Sequence, residues 1–346
     1  MKFEPGSLLQ YETRRKPGRK ISGISALLLP YDALGNIDEA GFRSHAQRTL
    51  AAGLRLAVNM DTGYIDLLTP DEKQLVLRWT RELVPTGEWF AAGAAPASGK
   101  LEARAGYAAE CQRIAEAGGV PVIFPSPAMA ALSEDGLAAL FEEIARAVPR
   151  FIAFELGSMF NPNGRLFSES VLRRLMELPQ CIGLKHSSLD RDLELRRIEV
   201  RDRMRPDFVI YTGNDLAADM VEYGSDYLLG LSTFCPELFA ARDRAWALQD
   251  SAYYPCRDLI QYVGWIGFRA PVPAYKHSAA IFLKATGWLG SSLPHPRAAR
   301  REAWDHEALA EAAGRVMAFL PEAGCKDQAQ PARPAPPARG AGSPAG

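Results

Sequence analysis

The sequence predicts an α/β chain folded as a (β/α)8 TIM barrel with a C-terminal helical extension, and three observations carry that expectation. Eight short apolar runs recur between residues 24 and 233, and their near-continuous hydrophobicity suits parallel strands buried on both faces. The stretches between the runs have helical length and amphipathic spacing. Eight such units in roughly 220 residues come close to the usual size of this barrel, about 250 residues.

The runs are ISALLLPY (24–31), LRLAVNM (54–60), WFAAGA (89–94), GVPVIFPS (119–126), RFIAFEL (150–156), CIGLKHS (181–187), DFVIYTG (207–213) and YLLGLST (227–233). After the first run, IDEAGFRSHAQRTLAAG opens with acids, spaces Phe42, Ala46 and Leu50 at helical intervals and closes at Gly53. After the second, TPDEKQLVLRWTRELV offers Thr69 as a cap and Pro70 at the first helical position. Residues 21–235 are assigned to the barrel and 1–20 to an N-terminal extension. Residues 236–324, helical from PELFAARDRAWALQD to GRVMAFLPEA, form the C-terminal extension. From Cys325 onward the chain is rich in Pro, Ala and Gly, with little to bury, and residues 325–346 are expected to be a disordered tail.

Forty basic and forty-one acidic residues nearly cancel, which argues against nucleic acid or an anionic membrane as a partner. The five cysteines are widely spaced and form no CxxC pair, a pattern that suits reduced thiols in a cytoplasmic protein. The N-terminus has no apolar leader core, and no run is long enough to span a bilayer. The five histidines lack metal-ligand spacing, so neither a metal nor another cofactor is implied. GAAPASGK is one residue too long for a phosphate loop, and Leu101 replaces the required Ser or Thr.

The chemistry concentrates in CIGLKHSS, where four apolar or small residues run into Lys185. Active sites of these barrels lie at the C-terminal ends of the strands. Two-residue alternation puts Gly183 and Lys185 on one face and His186 on the other. A desolvated amine at the barrel mouth would have a lowered pKa and could attack a ketone; alternatively it snorkels to the rim or pairs with a carboxylate.

GISALLLPYDALGNIDEAGF, NMDTGYIDLLTPDEK, CIGLKHSS, YTGND and APVPAYKHSAAIFLKATG occur in the order and spacing of motifs in the dihydrodipicolinate synthase/N-acetylneuraminate lyase family. The chain resembles that family from about residue 21 to residue 290. The resemblance implies a class I lyase or aldolase in which Lys185 forms an imine with pyruvate or another 2-oxo acid. It also implies that Thr62 and Gly63 hold the carboxylate, and that the protein is a homo-oligomer, dimer or tetramer. Ser232, near the end of the eighth run, is a further substrate-binding candidate.

The chain departs from the family where the family transfers protons. Asp61 stands in place of the relay threonine, Tyr64 in place of a glutamate and Phe154 in place of the strand-five tyrosine, while the tyrosine pair after strand four is missing. Dihydrodipicolinate synthesis itself is therefore not expected. Asp61, Glu155 and Tyr64 are the candidate acids or bases if burial tunes them; Asp61 or Glu155 could instead pair with Lys185 or Arg165. Arg165, in a loop longer than the family's, could bind a substrate carboxylate or sit on the surface. Asn214 and Asp215 read as helix caps and Lys276 as structural. Two functions remain open: a lyase, aldolase or dehydratase joining a 2-oxo acid with an aldehyde or sugar-acid partner, or a pseudoenzyme that keeps the lysine but has lost the relay.

Overall fold

The computed structural model describes residues 7–96, 103–321 and 323. Each apolar run contributes one strand: β1 (Gly23–Ala26), β2 (Arg55–Val58), β3 (Phe90–Ala94), β4 (Gly119–Ile123), β5 (Phe151–Leu156), β6 (Cys181–Ser187), β7 (Val209–Thr212) and β8 (Asp226–Leu229). They pair in sequence order into a closed parallel barrel, with β8 returning to β1 through Gly23↔Tyr227 and Ser25↔Leu229. Most of the strands end before their apolar runs do. The last residues of those runs turn over the mouth, as where the Leu28 amide donates to Thr233 Oγ1 at 2.9 Å.

Helix α1 (Ser7–Arg14) precedes the barrel. The crossovers are α2 (Glu39–Ala51), α3 (Pro70–Leu83), α4 (Ala103–Glu116), α5 (Pro127–Ala130) with α6 (Glu134–Ala147), α7 (Glu169–Glu177) and α8 (Arg191–Met204). The cap read from sequence is present on α3: Thr69 and Glu72 form a reciprocal capping box with Pro70 behind it. In the crossover from β7 to β8 the only helical turn is a 3-10 turn, Met220–Tyr223. Four helices follow β8: α9 (Pro236–Leu248), α10 (Tyr253–Gly267), α11 (Tyr275–Ala285) and α12 (Ala303–Phe319). Helix α9 packs on β1 and α2 in the position of the ring's eighth helix, while α11 packs on α12. The expected tail from Cys325 and the end of the GAAPASGK stretch lie outside the described residues. Among the described residues, no helix is long and apolar enough to cross a membrane.

Strand alternation divides the core in two. Ile24, Val120, Val122, Ile152 and Phe154 fill the barrel interior, while Phe151, Ala153, Cys181 and Leu184 face the helices. On β5 and β6 the register is Phe154↔Lys185 and Glu155↔His186. Phe154 and Lys185 therefore share the inner face. Glu155 and His186 continue the outer one.

Candidate active site at the barrel mouth

Lys185 projects into a cavity of about 360 Å³ at the C-terminal end of the barrel. Its Nζ donates to Ser187 Oγ at 3.0 Å, and Ser187 in turn donates to the Gly213 carbonyl at 3.2 Å. Gly213 is where the chain passes closest: a Cβ there would stand 2.0 Å from Ser187 Oγ and 2.8 Å from Lys185 Nζ. The Phe154 ring lies under the amine, 4.1 Å from its centroid, and is itself set edge-on to Phe124. Burial pushes the amine down to about 8, while the Asp215 and Asp61 carboxylates act through space to favour the charged form. Neither Asp61 nor Glu155 forms a direct pair with Lys185; both have other partners.

Asp61 and Thr62 reach the mouth from a 3-10 turn, Asp61–Gly63, that follows β2 and ends on Tyr64 in a left-handed conformation at φ 62°. The Tyr275 hydroxyl, at the start of α11, donates to Asp61 Oδ2 at 2.8 Å and lies 2.9 Å from Thr62 Oγ1. Lys276 Nζ holds Asp61 Oδ1 at 2.9 Å. Desolvation at the mouth pushes the Asp61 carboxyl up, but the Lys276 ammonium and the Tyr275 hydroxyl outweigh it and hold the group below its usual range. Tyr275 moves the opposite way, since burial and the neighbouring carboxylate push its phenol well above its usual value. Asp215, after β7, accepts the Leu231 amide at 2.7 Å; burial pushes its carboxyl up to about 6.

The cavity thus gathers Lys185, Asp61 and Thr62 from the residues the sequence singled out. The other candidates lie elsewhere. Glu155 is fully buried on the outer side of β5, where its carboxylate accepts Arg197 Nε at 2.9 Å, Arg197 Nη2 at 3.0 Å and the Phe167 amide at 2.7 Å, with His186 Nδ1 at 2.5 Å. Burial pushes that carboxyl up, but His186 and Arg197 more than offset it, so it stays ionised and turned away from the cavity. Tyr64 is buried outside the cavity lining, packed on Tyr31 and His295. The Gly63 amide is spent inside its own turn, donating to the Met60 carbonyl at 3.0 Å. Arg165 donates to the Leu132 carbonyl. Ser232 is buried, its hydroxyl donating to Leu229 O at 2.8 Å and lying 3.0 Å from Ser25 Oγ.

Four residues at or beside the cavity have placements that the sequence reading missed. Asp215 caps no helix, because a loop and the 3-10 turn follow it; it faces the cavity instead. Asn214 braces the loop after β6, accepting the Ser188 and Leu189 amides at 3.0 and 2.9 Å. Lys276 belongs to the cavity wall rather than to the scaffold alone, and Tyr275 beside it arrives from a helix beyond the barrel. Among the described residues, no three His, Cys, Asp or Glu are grouped to hold a metal.

Residues 20–233 match the sequence model of the dihydrodipicolinate synthetase family. The chain belongs to this family. A curated relative described as probable 5-dehydro-4-deoxyglucarate dehydratase 2, from Streptomyces avermitilis, is 28% identical over 307 residues, covering 83% of this chain and 86% of that protein. Among solved structures, dihydrodipicolinate synthase from Thermotoga maritima superposes with a TM-score of 0.72 at 16% identity, over 89% of this chain and 100% of that one. The sialic acid aldolase of Ruminococcus gnavus gives 0.73 at 17%, over 89% and 99%. A prophage protein of the same family from E. coli K12, solved with pyruvate, gives 0.75 at 17%, over 87% and 98%. These structural likenesses establish the fold, and family membership places the chain among lyases and aldolases.

Proposed function

We propose that the protein is a class I lyase in which Lys185 forms a Schiff base with a 2-oxo acid, and that it makes or breaks bonds at the carbons next to the imine. The observation that supports this most directly is the position of Lys185: a partly desolvated amine without a direct carboxylate partner, at the floor of a cavity whose wall carries hydroxyl and carboxylate groups. The neutral amine attacks the ketone carbon and water leaves. The protonated imine then withdraws electrons, so a proton or carbon fragment lost from the adjacent carbon leaves an enamine. Thr62 is the group that meets the substrate carboxylate. A dehydratase outcome, in keeping with the name of the Streptomyces avermitilis relative, needs only that the enamine expel a hydroxyl from the next carbon. Large exposed aromatics on the C-terminal helices, Trp265 and Trp304, support a homo-oligomeric assembly.

The test is incubation with pyruvate, borohydride reduction and peptide mass spectrometry, which should find the adduct on Lys185; no adduct with any 2-oxo acid would reject the imine. With an amine near 8, the rate of adduct formation at low pyruvate should rise with pH, with a midpoint near 8. Asp215→Asn removes a carboxylate that favours the ammonium, so the midpoint should move to lower pH. A midpoint that stays put in the variant would show that Asp215 does not act on the amine.

Proton transfer falls to the Thr62–Tyr275–Asp61 chain, which takes the place of the missing family tyrosines with hydroxyls from other elements. Tyr275→Phe should lower kcat by about 10²-fold or more, the range of a positioned acid or base, while the adduct still forms on Lys185. Unchanged turnover in Tyr275→Phe would remove it from the relay.

A further inference from the structure

The outer half of the cavity differs in character from its floor. Large apolar side chains that stand exposed at its rim come from four separate segments: Met159 and Phe160 after β5, Leu189 after β6, Leu216 after β7 and Val272 before α11. Their exposure runs from 38% for Leu216 to 67% for Met159, and a contiguous exposed apolar patch of this kind marks a ligand or partner surface. Leu189 also holds φ at 60°, a left-handed conformation that side chains rarely adopt and that tends to persist where function requires it.

Polar recognition is sparse at that height. Asp61, Tyr275, Lys185, Ser187 and Asp215 already bond to one another or to backbone, and Asn161 accepts the Asn163 amide at 2.8 Å. Among the described residues, the lining carries three carboxylates, Asp61, Asp66 and Asp215, against two ammonium groups, Lys185 and Lys276. Lys276 is held by Asp61. With Lys185 taken up in the imine, a second carboxylate on the substrate would therefore meet three carboxylates and one ammonium already held in an ion pair.

We infer that the 2-oxo acid taken by this site carries an apolar distal group, aromatic or alkyl, seated against the Met159, Phe160, Leu189, Leu216 and Val272 collar, rather than a polyhydroxylated or second-carboxylate tail. This rests on the imine reading above and narrows it. It also separates the protein from the substrate in its dehydratase relative's name, a hydroxylated dicarboxylate.

Imine trapping tests it without requiring turnover, because every 2-oxo acid that binds can be captured. The Lys185 nitrogen bonds to the ketone carbon, water leaves, and borohydride delivers hydride to the imine carbon to give a stable secondary amine. The protein is titrated with pyruvate, 2-oxo-4-phenylbutanoate, 2-oxoglutarate and 5-dehydro-4-deoxyglucarate, and the half-saturating concentration for the Lys185 adduct is read for each. The phenyl acid should half-saturate at least about tenfold lower than either dicarboxylate, from apolar burial and the avoided charge. In a Met159→Asn, Phe160→Asn double variant that ratio should shrink to within about threefold, since the collar then offers polar groups instead of apolar area. Adducts with pyruvate and the dicarboxylates but not with the phenyl acid would overturn the inference and leave the imine standing. Equal or tighter capture of a dicarboxylate would also overturn it. Absence of every adduct would overturn the imine itself.

Discussion

Lys185→Met should abolish turnover and borohydride trapping while raising stability. The kinetic loss, at least about 10⁴-fold, follows from the imine reading, because the other amine of the lining, Lys276, is held in an ion pair with Asp61. The gain in stability follows from linkage. The amine's folded-state pKa, near 8, lies below its ordinary value of 10.5, so the unfolded chain binds the proton more tightly. The penalty on folding is then fully present below pH 8 and fades as pH rises towards 10.5. Methionine has a similar length and no charge to desolvate, and it packs against Phe154 and Phe124. At pH 7 the variant should gain about 1–3 kcal/mol, discounting for water that reaches the amine through the open mouth. Chemical denaturation at pH 7 and pH 10 checks it: the gap between wild type and variant should narrow at the higher pH. A destabilised variant would instead mean that the ammonium is held by favourable contacts, as a structural charge would be.

Such an opposition between stability and reactivity would mark the lysine as a cost that the fold sustains, the usual signature of a working group. The sequence pattern carried the lysine's side of the argument. Near-continuous apolar runs gave all eight strands, and alternation placed Lys185 inward and His186 outward, as the structure finds them. The same alternation, applied to β5, would have turned Glu155 outward, because Ile152 and Phe154 face in. Alignment to the family pattern suggested a relay role for Glu155, and only the register with β6 separates the two readings. Asp215 was open to the rule that found Lys185, since it follows the end of a strand; the expected helix behind it does not form. Tyr275 had no such signal. It reaches the mouth because α11 packs back over the barrel, a long-range contact that no local pattern encodes. The spent amide of Gly63 and the burial of Ser232 likewise depend on how the turns close over the mouth, which residue type alone does not specify.

Glu155→Ala should produce the largest loss of stability among these sites and only a small effect on imine chemistry. The carboxylate is fully buried, takes a two-pronged hydrogen bond from Arg197, and also accepts from the Phe167 amide and engages His186. It thereby joins β5, β6, α8 and the loop leading to α7. Removing it leaves the Arg197 guanidinium buried without its counter-charge, a change that typically costs about 3–5 kcal/mol. Glu155→Gln keeps an acceptor for Phe167 but loses the charge, and separates the ionic part of the effect. The sign with pH is fixed by the carboxyl's lowered pKa. Its contribution is present above the unfolded value of about 4.3 and is lost as pH falls through the lower folded value. Wild type should therefore lose stability in acid more steeply than Glu155→Gln, measured as denaturant midpoints from pH 7 down to pH 3. Folded Glu155→Gln should still give the reduced pyruvate adduct on Lys185. Near-native stability with collapsed turnover would return Glu155 to the catalytic relay and require its side chain to reach the cavity from the outer face of β5.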